Sequence, residues 1–275
     1  MLSIVIPWCD RDELTVVAPR FRETASDLGA EIVAVNYAGD PDWFATASAS
    51  LGADVIVSVV GEGYFNKPAA SNIGAHHASG RFVFFCDNDI LLDGADLAAL
   101  LDRVAATPST FGTLASVTET ERNSRKAGHV TRFGYTLEMS TSDGRELTIR
   151  DHEEDANDGT RQAPGLLLVG HDDFRRVGGY NGQLDGWGWE DQDMIARLTL
   201  GAGLTRVSHG CAKHVSHGDD ARVRRHRVSY ADRWESRDKS FRRALANYDA
   251  ADFSGTYEWD VSRLTEDGAV RVERR

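Results

Sequence analysis

Apolar residues in the first hundred positions come in short runs, separated by polar stretches with helical spacing. Ser3–Pro7 (SIVIP) is an unbroken run ended by proline, as expected of a strand buried on both faces. Asp12 to Leu28 follows, with Leu14, Val17, Phe21 and Leu28 on one helical face. Glu31–Asn36 (EIVAVN) and Asp54–Val60 (DVIVSVV) predict two further strands. Residues 68–79 predict a helix rich in small residues, opened by Pro68 and closed by Gly80. Arg81–Cys86 (RFVFFC) predicts a fourth buried strand that delivers the chain straight to Asp87. Strands alternating with helices predict an α/β fold: a doubly wound, mostly parallel sheet binding its ligand at the carboxyl edge.

After a predicted helix at Ala95–Val104 the pattern changes. Residues 118–162 are polar, with Gly128, Gly134, Gly144, Gly159 and the acidic stretch Asp151–Asp158, and Val130–Leu137 predicts a hairpin or loops over a site. Gly165–Val169 returns to buried-strand character, and Asp172–Val177 predicts a short helix stopped by Gly178 and Gly179. Glu190–Leu200 predicts a helix with Met194, Ile195 and Leu198 on one face, and Leu204–Val207 is strand-like. The charged residues beyond Tyr230 predict a helix to Tyr248 and irregular chain after it. Without repeats or a linker, residues 1–250 are expected to form one domain, with halves at 1–105 and 106–220 and a tail at 251–275.

Composition narrows the chemistry. A net charge of −12 speaks against non-specific nucleic-acid binding, which needs concentrated Lys and Arg. Cys9, Cys86 and Cys211 form no CxxC pair and support neither a zinc ribbon nor a redox motif. The chain begins directly with a strand-like segment and has no apolar run of membrane-spanning length, so a cytoplasmic protein is expected.

Three clusters could carry chemistry. Asp87 and Asp89 flank Asn88 at the end of an apolar strand; in an extended chain both carboxylates face one side, where they suit Mg²⁺ or Mn²⁺ shared with a phosphorylated substrate. The same residues also suit a polar turn. Trp187-Gly188-Trp189-Glu190-Asp191 combines ring faces for a sugar, a glycine for close approach, and carboxylates for a hydroxyl or a base. Acidic residues there would also cap a helix. His214 and His217 can share one metal only if the backbone turns between them. At other strand ends, Arg11, Asn36 and Asp40 are placed to meet a nucleotide or diphosphate, with Lys67 and Asn72 at the start of the small-residue helix.

These segments resemble a known superfamily. Ser3–Arg11 (SIVIPWCDR), Phe65–Gly74 (FNKPAASNIG) and Phe84–Leu92 (FFCDNDILL) resemble the nucleotide-sugar half of GT-A glycosyltransferases. Phe174–Leu198 is similar to the acceptor and catalytic region of the β-1,4-galactosyltransferases and the chondroitin-polymerase-type transferases. The resemblance implies a GT-A fold with a smaller acceptor-side subregion, a UDP-sugar donor, a saccharide or other hydroxyl acceptor, and Mn²⁺ or Mg²⁺. It implies Asp89 and His217 as metal ligands, with Asp87 supporting metal or ribose. His214 stands where the galactosyltransferases commonly carry methionine, a departure that offers a second imidazole. Asp191 takes the place of the catalytic base and Glu190 that of a sugar contact. Trp187, Gly188 and Trp189 fall in the acceptor region, and Pro7, Arg11, Asn36, Asp40 and Asn88 in the nucleotide-contacting region. The expected reaction is inverting transfer of a hexose or N-acetylhexosamine. A retaining enzyme resembling the polypeptide N-acetylgalactosaminyltransferases, a silent UDP-sugar-binding module and a nucleotidyltransferase stand as alternatives.

Overall fold

In a computed structural model, which describes residues 1–121, 134–152, 159–218, 225–226 and 233–275, every residue of β1 (Leu2–Trp8) is buried. Its side chains alternate between two cores: Ile4 and Ile6 face α1 (Glu13–Leu28), whereas Val5 faces the opposite layer. β2 (Glu31–Tyr37) pairs parallel with β1. α2 (Pro41–Leu51) follows, and β3 (Val55–Val59) then pairs parallel with β2. α2 has no counterpart among the expected elements, because its buried stripe of Phe44, Ala47, Ser48 and Leu51 holds only two large apolar residues. α3 (Lys67–His77) covers the other face, so close to the sheet that a Cβ at Gly74 would lie 2.4 Å from Val5 Cγ1.

β4 (Phe82–Phe85) pairs with β1 on the side away from β2, and the strand order reverses between them. The crevice at this reversal, beyond the carboxyl ends of β1 and β4, is where doubly wound sheets bind ligands. β5 (Ile90–Leu91), α4 (Gly94–Ala106), β6 (Thr110–Thr113) and β7 (Ser116–Glu119) follow. A two-stranded hairpin joins β8 (Gly134–Ser140) to β9 (Glu146–His152), within the segment expected to contain one. Part of that expectation, including Val130, Gly128 and most of Asp151–Asp158, lies outside the described residues.

β10 (Thr160–Arg161) and β11 (Leu167–Gly170) precede the short α5 (His171–Arg176). The predicted helix at Glu190–Leu200 is α6 (Glu190–Ala196), which widens into a π turn over Arg197–Gly201. β12 (Thr205–Ser208) and β13 (Cys211–His214) follow. The main sheet runs β12-β6-β11-β4-β1-β2-β3 and ends on the C-terminal strand β14 (Val270–Arg274), with a four-stranded sheet β10-β7-β13-β5 beside it. This is the expected mixed α/β architecture.

The C-terminal residues correct an expectation. α7 (Arg233–Asp249) corresponds to the predicted helix, although residues 230–232 lie outside the described ones. The chain after it is not irregular: it forms α8 (Tyr257–Glu266) and β14 (Val270–Arg274), which pairs antiparallel with β3 at the sheet edge. These elements bury only narrow stripes (Tyr257, Asp260 and Leu264 in α8), so their charged composition hides their regularity. Among the described residues no helix is long and apolar enough to cross a membrane.

α6 is fixed by a buried polar group. Arg197 Nε donates to Asp193 Oδ2 at 2.7 Å, with both side chains 1% exposed, and Tyr248 Oη donates to Asp193 Oδ1 at 2.8 Å. Arg197 also donates to the Val177 and Gly179 carbonyls, tying α6 to the loop after α5. Arg197→Met strands the Asp193 carboxylate and is expected to cost about 3–5 kcal/mol, read as a lower denaturation midpoint. An unchanged midpoint would show that the pair contributes nothing to α6.

Candidate active site

A cavity of about 670 Å³ opens at the strand reversal. Of the residues expected to act, Pro7, Arg11, Lys67, Asp87, Asn88, Asp89, Trp187, Gly188, Trp189, Glu190, Asp191, His214 and His217 line it. The structure does not bring Asn36, Asp40 or Asn72 there. Asn36 is buried and holds the turn at Gly39, accepting from its N–H at 2.9 Å. Asp40 caps α2, its carboxylate accepting from Trp43 N at 2.8 Å. Asn72 is wholly buried, accepting from Tyr180 N and donating to Asp260, which ties α3 to α8.

The chain does not stay extended after β4, which corrects the expectation that Asp87 and Asp89 share one face. Asn88 and Asp89 form a turn, pinned where Asn88 Nδ2 donates to the Pro7 carbonyl at 2.9 Å. The two carboxylates therefore diverge, and each founds a different cluster.

On one side, Asp89 Oδ2 lies 3.3 Å from His214 Nε2, 3.2 Å from His217 Nε2 and 3.2 Å from Arg11 Nη2. β13 ends at His214 and the chain leaves the strand, so His217 returns to the same point as His214. These three residues are the group of possible metal ligands among the described residues, their donor atoms all within 4.8 Å of one another. Two adjacent ligands each about 2.1 Å from one ion lie roughly 3 Å apart, so the spacing suits a cation. Among the described residues Asp89 Oδ1 is buried without a hydrogen-bond partner, which also fits a role as cation ligand. Burial would raise the Asp89 carboxyl, but hydrogen bonds from His214 and His217 and the charge of Arg11 hold it well below the usual carboxylate range.

Sequence reasoning passed over Glu119, which completes this cluster. His214 Nδ1 lies 2.7 Å from Glu119 Oε2, which also accepts from Ser216 Oγ at 2.9 Å, while Arg161 Nε donates to Oε1. A carboxylate behind a histidine fixes its tautomer and ring orientation for metal binding. Burial opposes ionisation of Glu119, but His214 and Arg161 hold its carboxyl at about 2. A glutamate in the polar run SVTE carries no signal in the sequence.

On the other side, Lys67 Nζ sits among three carboxylates, 2.8 Å from Asp87, 3.0 Å from Asp191 Oδ2 and 3.4 Å from Glu190. Lys67 is the first residue of α3 and Asp191 lies in the first turn of α6, so two helix starts meet here. Burial pushes the Asp191 carboxyl up to about 7, with Glu190 and Asp87 adding to it and Lys67 opposing. Trp189 is buried, adopts a left-handed backbone and packs edge-on against Phe241, anchoring α6. Trp187 borders the cavity beside Arg233, whose guanidinium lies 5.7 Å from its ring centroid.

A family model described as the N-terminal domain of galactosyltransferase matches residues 152–218, which include α6 and both histidines. A Drosophila melanogaster protein named as a polypeptide N-acetylgalactosaminyltransferase 13 is 27% identical over 139 residues, half of this chain. The matched stretch is a quarter of that relative's length. Among solved structures, S. aureus TarS superposes with a TM-score of 0.51 at 14% identity, covering 80% of this chain and 37% of that one. A Drosophila β-1,4-galactosyltransferase 7 variant in complex with manganese, UDP-Gal and xylobiose gives a TM-score of 0.49 at 16% identity, covering 86% and 79%. The fold is that of the GT-A glycosyltransferases. Separately from the fold, residues 152–218 resemble the galactosyltransferases.

Proposed function

We propose that this protein is a metal-dependent glycosyltransferase that moves a hexose or N-acetylhexosamine from a UDP-sugar to an acceptor hydroxyl, with inversion at the anomeric carbon. The observation that carries this reading is one cavity lined both by a cation-fitting group, Asp89, His214 and His217, and by a carboxylate with raised proton affinity, Asp191. Asp89, His214 and His217 would hold the metal; two imidazoles beside one carboxylate suit Mn²⁺ better than Mg²⁺, which prefers oxygen ligands. Such an ion supplies charge neutralisation for a leaving diphosphate. Arg11, 3.2 Å from Asp89, adds a fixed positive charge on the same side.

The acceptor oxygen forms its bond to the anomeric carbon as the bond to UDP breaks and the diphosphate leaves with the electron pair. Asp191 takes the acceptor's proton. Its carboxylate must first be released by Lys67, an exchange among the neighbouring carboxylates. Asp87 and Glu190 lie close enough to share Lys67 during that exchange.

A panel of UDP-sugars with Mn²⁺, read as UDP release with and without saccharide acceptors, tests the function. Acceptor-stimulated release from one donor is expected, and tight metal-dependent UDP binding without turnover on any donor would leave only a binding module. Because Asp191 acts ionised, kcat/KM is expected to rise with pH through about 7 and level above it. A profile flat from pH 5 to pH 8 would remove Asp191 as the base.

A further inference from the structure

The wall behind Asp191 is a tight turn, Ala163-Pro164-Gly165-Leu166, closed where Leu166 N donates to the Ala163 carbonyl at 3.2 Å. Both ends are held. Ala163 and Leu166 are buried, and the Leu166 carbonyl accepts from Leu114 N at 3.0 Å in the strand layer. Gly165 has no left-handed φ, so the backbone of the turn does not require glycine. What it requires is space. A Cβ at Gly165 would lie 2.5 Å from Asp191 Oδ2 and 3.0 Å from its Cγ. The same Oδ2 is 3.0 Å from Lys67 Nζ, so the carboxylate is clamped between an ammonium and a bare Cα.

We infer that Gly165 is a positioning residue for the reaction: the missing side chain is the seat of the Asp191 carboxylate and sets where the base meets the acceptor. An alanine cannot be relieved by retreat of the turn, which is anchored on both sides, so the carboxylate must give way instead. It is short, and its only freedom is to rotate away from the position in which Lys67 holds both its oxygens. The inference rests on the proposed role of Asp191 for its catalytic part. The contact itself does not.

The experiment is a double-mutant cycle between Gly165→Ala and Asp191→Ala, read as melting midpoint, turnover and donor KM. Gly165→Ala alone is expected to lower the midpoint by roughly 2–4 °C. In the Asp191→Ala background it is expected to lower it not at all, because the space is then free and alanine restricts the unfolded chain. On a donor that the wild type turns over, kcat is expected to fall about 100-fold with donor KM unchanged, as for a displaced reacting group. If the single variant fails to fold while the double variant folds, the contact is equally established. An equal fall in midpoint in both backgrounds would overturn the inference, as would turnover within about 2-fold of wild type. If no donor is turned over, the proposed function fails, whereas the melting cycle still decides whether Gly165 seats Asp191.

Discussion

Asp191→Asn is expected to lower turnover by about 10²–10⁴-fold while UDP affinity stays near that of the wild type. The amide nearly conserves shape, so the seat beside Gly165 remains filled, but it cannot accept the acceptor's proton. Binding is expected to survive because the cation group is built on different elements, β13 and the turn after β4. Parallel measurements of kcat and of UDP binding by calorimetry check this. Near-normal turnover in a folded variant would reduce Asp191 to an acidic residue stabilising the first turn of α6.

Asp89→Ala is expected to remove the metal dependence of UDP binding, weakening affinity in Mn²⁺ by more than about 100-fold and leaving it indifferent to chelator. Among the described residues Asp89 is the one carboxylate that both histidines face, so its loss leaves two imidazoles around a vacant corner. Glu119→Gln is expected to cost about 10–100-fold in metal affinity, the range for a group that orients a liganding histidine. Calorimetric titrations with and without excess chelator distinguish these. Undiminished affinity of wild-type protein in chelator would remove the metal from the account.

The first half of the fold was legible because parallel strands buried on both faces leave continuous apolar runs, and their ends locate Arg11 and Asp87. The Trp187–Asp191 cluster was legible from its density of tryptophan and acid. Other features were hidden for specific reasons. Asn36 and Asp40 sit at strand and helix ends and Asn72 lies inside α3, but their side chains satisfy the local backbone or a buried partner, a choice that spacing cannot reveal. The divergence of Asp87 from Asp89 depends on the Asn88 bond to Pro7, a contact across 81 positions of sequence. Glu119 and Gly165 act on residues far along the chain, and neither residue type is unusual where it stands. α8 and β14 leave little trace in the sequence because an edge element needs only a narrow buried stripe.

The measurement that bears most directly on the proposed mechanism is the anomeric configuration of the product. With a base opposite the departing diphosphate, an α-linked UDP-sugar such as UDP-galactose, UDP-N-acetylgalactosamine or UDP-N-acetylglucosamine is expected to give a β-linked product, read from the anomeric proton coupling by NMR. An α-linked product would contradict inversion and the role of Asp191 as base together.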